Sequence, residues 1–203
     1  MSRSRLALTA AALLPLTLGA CITLFPKVAP APLYRFDATV PAATAPNHAP
    51  YTVRLNTLDF DPASSGDQLM TSTGDQVAYI GTARWSEPAE ELFTAAVMHG
   101  FLSAGGPARL VSADAAGHAD LRLQLHITRF EASYEQGPTA APTVHIHVRA
   151  DIAREKDLVV VATQEFDATA PAAENRLSAI VPAYNAATSK IVGDLAAWVN
   201  GAS

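Results

Sequence analysis

The sequence predicts an α+β fold, in which an antiparallel sheet carries two helices packed on one face of a single domain. Two observations indicate this fold: long runs in which apolar and polar residues alternate, and two segments whose apolar residues recur every three or four positions. Alternation is typical of strands with one buried and one solvated face, and the longer spacing is typical of amphipathic helices. The order of strands, helix, strands, helix favours helices packed on one side of a sheet.

The first part of the chain predicts short strands. Residues 33–36 alternate briefly, and alternation resumes at residues 51–60 with a change of phase that indicates a bulge or a strand end. Gly74-Asp75 then separates the alternating runs 68–73 and 76–83, which predicts a hairpin.

A helix is predicted over residues 86–103. Ser86 is expected to cap its free amides, Pro88 suits the first turn, and Gly105 follows its end. Its apolar stripe comprises Leu92, Phe93, Ala96, Val97 and Phe101.

The second half predicts three strands and a closing helix. The strands are expected over residues 121–128, 144–152 and 158–166, because apolar residues there alternate with polar ones. The last helix is expected over residues 177–198, with a start or a kink at Pro182, since proline breaks the hydrogen-bond pattern of a helix interior.

The N-terminus has the features of an export signal. Arg3 and Arg5 precede an apolar run over residues 6–18, which is too short to span a bilayer. The small residues Gly19-Ala20 then precede Cys21, the single cysteine of the chain. This arrangement resembles the bacterial lipobox, in which the cysteine receives a diacylglyceryl group and an acyl chain and becomes the new N-terminus. An ordinary secretory signal or a buried thiol is the alternative.

These features predict three segments: a lipoprotein signal peptide over residues 1–20, a proline-rich tether over residues 21–32 and a folded domain over residues 33–200. At roughly 3.1 Å per residue an extended tether spans about 35 Å. Ile22 after the cysteine resembles the outer-membrane address of enterobacterial lipoproteins. Loss of the signal changes the net charge from −5 to −7, which disfavours extra binding to anionic headgroups.

Composition excludes several classes of protein. Hydrophobic residues make up 49% of the chain and charged residues 16%, which is typical of a folded domain and not of a disordered or fibrous chain. The chain has 14 basic and 19 acidic residues, so no basic surplus is present to neutralise nucleic-acid phosphates. The sequence contains no phosphate loop, nucleophile elbow or paired-cysteine zinc motif, and no cofactor is predicted.

Two histidines are the strongest candidates for a metal-binding or catalytic role. His145 and His147 lie two apart on a predicted strand, so both imidazoles face the same side and could reach one metal ion. His126 lies on the polar side of the preceding strand, in unknown register. A solvated strand face is the simpler interpretation, because a metal site needs a third ligand. Trp85 and Trp198 are expected to anchor helices on the core, with ligand stacking as the alternative.

Four ordered features carry a resemblance to a known family. They are the lipobox ending in Cys21 with a tether and a Tyr34-x-Phe36 strand, the helix entry Arg84-Trp85-Ser86-Glu87-Pro88, the strand 144–152 with Phe166 closing the next strand, and Ala183-Tyr184-Asn185-Ala186-Ala187 leading to Ala197-Trp198. Together they make the chain resemble the ABC-type transport auxiliary lipoproteins, the lipoprotein partners of MCE-type lipid transport systems.

The resemblance implies a non-catalytic component of such a system, and it assigns no catalytic residues to this chain. It implies a lipid anchor on Cys21, a location at the periplasmic face of the outer membrane, and partnership with an MCE-domain protein and its ABC permease and ATPase. The sheet's polar face or an exposed strand edge is expected to bind the partner, with Arg84 and Trp85 as further candidates and with homo-oligomers possible. Two alternatives are an outer-membrane assembly lipoprotein accessory to a β-barrel, and a small periplasmic metal-binding or enzymatic domain centred on His145 and His147.

Overall fold

The computed structural model describes residues 30–42 and 49–202, and within these ranges the residues from Ala31 onward pack as one unit. Its strands are β1 (Leu33–Tyr34), β2 (Tyr51–Leu55), β3 (Asp59–Phe60), β4 (Met70–Thr73), β5 (Gln76–Tyr79), β6 (Arg84–Trp85), β7 (Ala108–Val111), β8 (Leu121–Ser133), β9 (Thr143–Arg154) and β10 (Val160–Pro171). Its helices are α1 (Ala89–Ala104) and α2 (Leu177–Asn200).

The long strand β8 organises the main sheet. One edge of β8 pairs with β9 and β9 pairs with β10, both antiparallel as predicted. Along its other edge β8 pairs in succession with β2, β3 and β4, all parallel, and β2 pairs in parallel with β7. The sheet is therefore mixed where an antiparallel one was predicted. The helix α1 supplies the long crossover that parallel pairing requires.

The predicted two-helix arrangement on one face of the sheet is confirmed. The helix α2 packs on β9 and β10, and α1 packs against α2 and β7. Because side chains alternate along a strand, Leu125, Ile146 and Val148 point into this core and are almost completely buried. The polar residues between them lie on the opposite face of the sheet.

The start of α1 differs from the prediction. The helix begins at Ala89 after Pro88, and no side chain caps it. Carbonyl groups of a preceding loop accept the hydrogen bonds of its first amides instead. The Ala89 N–H donates to the Gly66 carbonyl over 2.9 Å and the Glu90 N–H to the Ser65 carbonyl over 3.1 Å. Ser86 was wrongly predicted as the cap, because its own N–H binds the Tyr34 carbonyl and joins the β1–β6 pair.

The remaining predicted elements are present with shifted ends. The hairpin β4–β5 turns at Gly74, where φ is +56°. The helix α2 begins at Leu177, so Pro182 lies inside it and does not mark its start. The alternation at residues 33–36 yields a strand of only two residues, because Phe36 leaves the strand to enter the aromatic core.

Candidate functional site

The predicted lipid anchor lies outside the described residues. Cys21 and Ile22 precede residue 30, so lipidation and sorting remain predictions. Among the described residues, neither helix has the length and apolar composition needed to cross a bilayer.

Arg84 and Trp85, the predicted partner-binding pair, occupy the short strand β6. Trp85 is 2% exposed, and its ring crosses those of Phe36 and Tyr184 edge to face, with centroids 5.1 Å away in both cases. Arg84 is one-third exposed, and its Nε lies 3.6 Å from Asp67 Oδ2. Trp85 thus has the core position expected of a helix anchor, and Arg84 is the member of the pair that reaches solvent. Their role in partner binding remains a prediction.

Tyr184 lies at the centre of this aromatic cluster. Its ring stacks on Phe36, is tilted against Phe130 and meets Trp85 edge to face, and its hydroxyl donates to the Met70 carbonyl over 3.4 Å. Burial, and secondarily the Glu131 carboxylate, raises the pKa of this hydroxyl far above its usual range. Tyr184 therefore stays protonated and serves as a packed hydrogen-bond donor that ties α2 to β4.

The histidines on the polar face are held apart by separate partners. His145 Nε2 lies 2.9 Å from Glu135 Oε1, whereas His147 Nδ1 lies 2.6 Å from Thr128 Oγ1. His126 lies 2.8 Å from Asp59. Within residues 30–42 and 49–202 no group of three or more His, Cys, Asp or Glu side chains is placed to hold a metal ion.

Thr128 and His147 lie within hydrogen-bond distance of each other, as a nucleophile and its general base would. Their surroundings therefore bear on the enzymatic alternative. The second ring nitrogen of His147 lies 4.0 Å from Asp167, which is beyond hydrogen-bond distance. The Asp167 side chain is also three-quarters exposed. The geometry therefore lacks the oriented, enclosed base that acyl-transfer chemistry requires.

A charge cluster closes one end of the sheet. Glu155 accepts hydrogen bonds from Arg122 Nε over 2.9 Å and Arg122 Nη2 over 3.0 Å, and a third from Arg54 Nε over 3.3 Å. The Arg122 hydrogen bonds, with a smaller contribution from Arg54, hold the pKa of Glu155 below its ordinary value. Arg54 also donates to the carbonyls of Ala115 and Gly117, so this cluster fixes the loop before β8 to the β9–β10 turn.

An apolar groove lies between α1 and β7. Its volume is about 620 Å³ and its floor is the strand β7. The side chains of Ala95, Met98 and Leu102 line it from the flank of α1 that faces away from α2. Leu102 stands at its mouth with 82% of its surface exposed. The sequence did not reveal this groove, because β7 was not predicted; an exposed leucine outside the buried stripe was its only signal.

Solved structures share this fold. A protein of the family DUF330 from Xanthomonas campestris superposes with a TM-score of 0.75 at 19% identity, over 84% of this chain and 95% of that one. An uncharacterized protein superposes with a TM-score of 0.62 at 11% identity, over 84% and 99%. A hypothetical protein from Chlamydia trachomatis gives a TM-score of 0.53 at 11% identity, over 75% and 97%. At these identities the similarity concerns the fold alone.

The sequence identifies the family. The chain belongs to the ABC-type transport auxiliary lipoprotein components, whose sequence model matches residues 34–196. This confirms the resemblance derived from the ordered motifs. No curated protein matches the chain.

Proposed function

We propose that this protein is the non-catalytic lipoprotein of an MCE-type ABC transport system for lipids. In this role it docks the lipid-carrying MCE-domain protein, or receives lipid from it, at the periplasmic face of the outer membrane. The observation that carries the proposal is membership of the transport auxiliary family over residues 34–196. The apolar run ending at Cys21 supports the anchored location.

The anchor explains how a domain without chemistry of its own contributes to transport. Two or more acyl chains on Cys21 hold a protein firmly on a membrane, whereas one chain binds only marginally. Confinement to the surface raises the effective concentration of the domain for a partner that crosses the periplasm. The proline-rich tether over residues 21–32 lets the domain reach about 35 Å from its lipid. The inner-membrane ATPase and permease supply the energy.

The proposal is tested by crosslinked affinity purification of the full-length protein from native membranes, with proteins and lipids identified by mass spectrometry. Recovery of an MCE-domain protein with its permease and ATPase is expected. Recovery of a β-barrel protein without these components overturns the proposal in favour of an assembly factor, and recovery of the bait alone also contradicts it.

Two variants make the purification more specific. Cys21→Ala removes the lipidated sulfur and is expected to release the protein from the membrane and to reduce recovery of the transport components. Ile22→Asp keeps the lipid and, in a host that follows the enterobacterial rule, is expected to shift the protein to the inner-membrane fraction. Unchanged membrane retention of Cys21→Ala contradicts the anchor.

A further inference from the structure

The strand β7 ends the main sheet on the side away from β10. It pairs in parallel with β2 through residues 108–111, and no other described strand pairs with it. The Tyr51 N–H donates to the Pro107 carbonyl, which fixes the phase of this ladder. Because backbone groups point alternately to the two sides of a strand, the N–H and C=O of Leu110 point away from β2. β7 therefore presents hydrogen-bonding groups that a further strand can use.

The helix α1 packs on β7, whereas α2 packs on β9 and β10 at the opposite end of the sheet, so the flank of α1 away from α2 lies toward the free edge of β7. A strand paired with β7 lies about 4.8 Å beyond it. The apolar groove described above is lined by Met98 and Leu102 on this flank and by residues 108–110 of β7. Side chains that point toward α1 from an added strand would therefore fill an apolar space, while the side chains between them would point to the polar face.

The charge on β7 favours acidic residues among the side chains of the added strand that point to the polar face. Ala108 and Leu110 pack toward the core, so alternation turns the side chain of Arg109 to the other side of β7, where it is exposed. Part of Arg109 also lines the edge of the groove. Arg109 forms no ion pair with the carboxylates of residues 30–42 and 49–202, although most arginines in that part of the chain do. Opposite charges on neighbouring strands stabilise a sheet, so a carboxylate beside Arg109 suits an incoming strand.

We propose that β7 and the flank of α1 bind an extended segment of the MCE-type transport partner, in which apolar residues alternate with acidic ones. This inference rests on the proposed function and names the surface through which it operates. Added strands of this kind use main-chain hydrogen bonds for affinity and pockets for alternate side chains for specificity.

A second copy of the chain is less well suited to this surface. The other edge of the sheet, β10, also alternates, but its inward residues Phe166 and Ala168 are already buried beneath its own α2. They are therefore not free to fill the groove of another molecule. An acyl chain would occupy the groove without using the Leu110 backbone groups.

The test places a photoreactive amino acid at Leu102 in the full-length protein in native membranes, with Val160 as the matched control. Both residues are exposed apolar positions, and they lie beside opposite edges of the sheet. The Leu102 probe is expected to crosslink to a segment of the MCE-domain protein with alternating apolar and acidic residues, roughly tenfold more than the Val160 probe. Arg109→Glu is expected to reduce this yield by roughly tenfold, and Arg35→Glu, which reverses another exposed arginine without an ion pair in the described part of the chain, is expected to leave it unchanged.

The outcomes separate this inference from the function on which it rests. Crosslinking of the MCE-domain protein from Val160 and not from Leu102 contradicts β7 and α1 as the binding surface and leaves the proposed function intact. Crosslinking at Leu102 to a second copy of the chain, or to lipid only, shows that the occupant of this surface is not the MCE-type partner. If purification with a general crosslinker also recovers no transport component, both the surface and the proposed function fail.

Discussion

Asn200 and Gly106 lie so close that Gly106 has no room for a side chain. A Cβ built on Gly106 stands 2.4 Å from Asn200 Oδ1. The same amide accepts the Ala108 N–H over 3.0 Å and donates to the Gly105 carbonyl over 3.1 Å. The end of α2 therefore holds the first residues of β7 in place, and with them the floor of the apolar groove.

Gly106→Ala is accordingly expected to destabilise the protein by about 2 kcal/mol or more, since a strained backbone adds to a steric clash. The φ angle of Gly106 is +109°, a conformation that favours glycine. Gly105→Ala is the matched control, because Gly105 has φ +69° but open space around its Cβ position. That variant is expected to lose about 1 kcal/mol from strain alone. Urea denaturation measures both, and equal losses would show that the Asn200 contact contributes nothing.

A second pair of glycines tests the contact between the helices. A Cβ on Gly100 of α1 would stand 2.2 Å from Val192 Cγ1 of α2, whereas one on Gly193 meets only Val40, at 3.8 Å. In a helix interior alanine is favoured over glycine by up to about 1 kcal/mol. Gly193→Ala is therefore expected to be neutral or to raise the melting temperature, and Gly100→Ala to lower it. A stabilised Gly100→Ala protein would contradict the close approach of the helices.

Glu155 is expected to make the stability of the domain depend on pH. Its pKa is lowered in the folded state, so its contribution is present at neutral pH and is lost as the pH falls through that lowered value. Glu155→Gln is expected to cost about 1–2 kcal/mol at pH 7, because charge-assisted hydrogen bonds to Arg122 are weakened. The difference from the wild type should shrink toward zero in acid. Glu87→Gln, which removes an exposed carboxylate that forms no ion pair in the described part of the chain, controls for the loss of one negative charge. A difference for Glu155→Gln that stays constant with pH would refute the linkage.

Substitutions of Arg84 and of Trp85 are expected to have different effects, on partner binding and on stability respectively. Trp85→Ala removes a large buried ring and should destabilise the domain by about 3–5 kcal/mol, so weaker complex formation by this variant follows from lost packing. Arg84→Glu is expected to reduce recovery of the transport partner while the domain remains folded, as monitored by circular dichroism. Near-wild-type recovery by a folded Arg84→Glu protein would remove Arg84 from the interface.

The helices and the long strands could be predicted because their patterns extend over many residues. The alternations in β8 and β9 and the apolar spacing in α2 each repeat several times, so their type was clear even where their ends were not. The direction of pairing was not predictable in the same way. A strand such as β2 alternates identically whether its neighbour is parallel or antiparallel, and only the position of α1 between β2 and β7 decides it.

The apolar groove could not be predicted, for a related reason. The strand β7 has only four residues, which is too short for alternation to be distinguished from chance. Leu102 gave a weak signal, since single exposed leucines are common on protein surfaces. Trp85 shows the opposite case: its core position was predicted from residue type, because tryptophan so often anchors helices on a core.

The most direct test of the proposed function is a reciprocal purification, in which the MCE-domain protein of the same organism carries the tag and crosslinking precedes extraction. We expect this lipoprotein to be recovered with its N-terminal Cys21 in the acylated form, together with the permease and ATPase, and recovery to fall in the Cys21→Ala strain. Recovery of an intact MCE complex without this lipoprotein, from membranes that contain it, would show that the lipoprotein is not a component of that system.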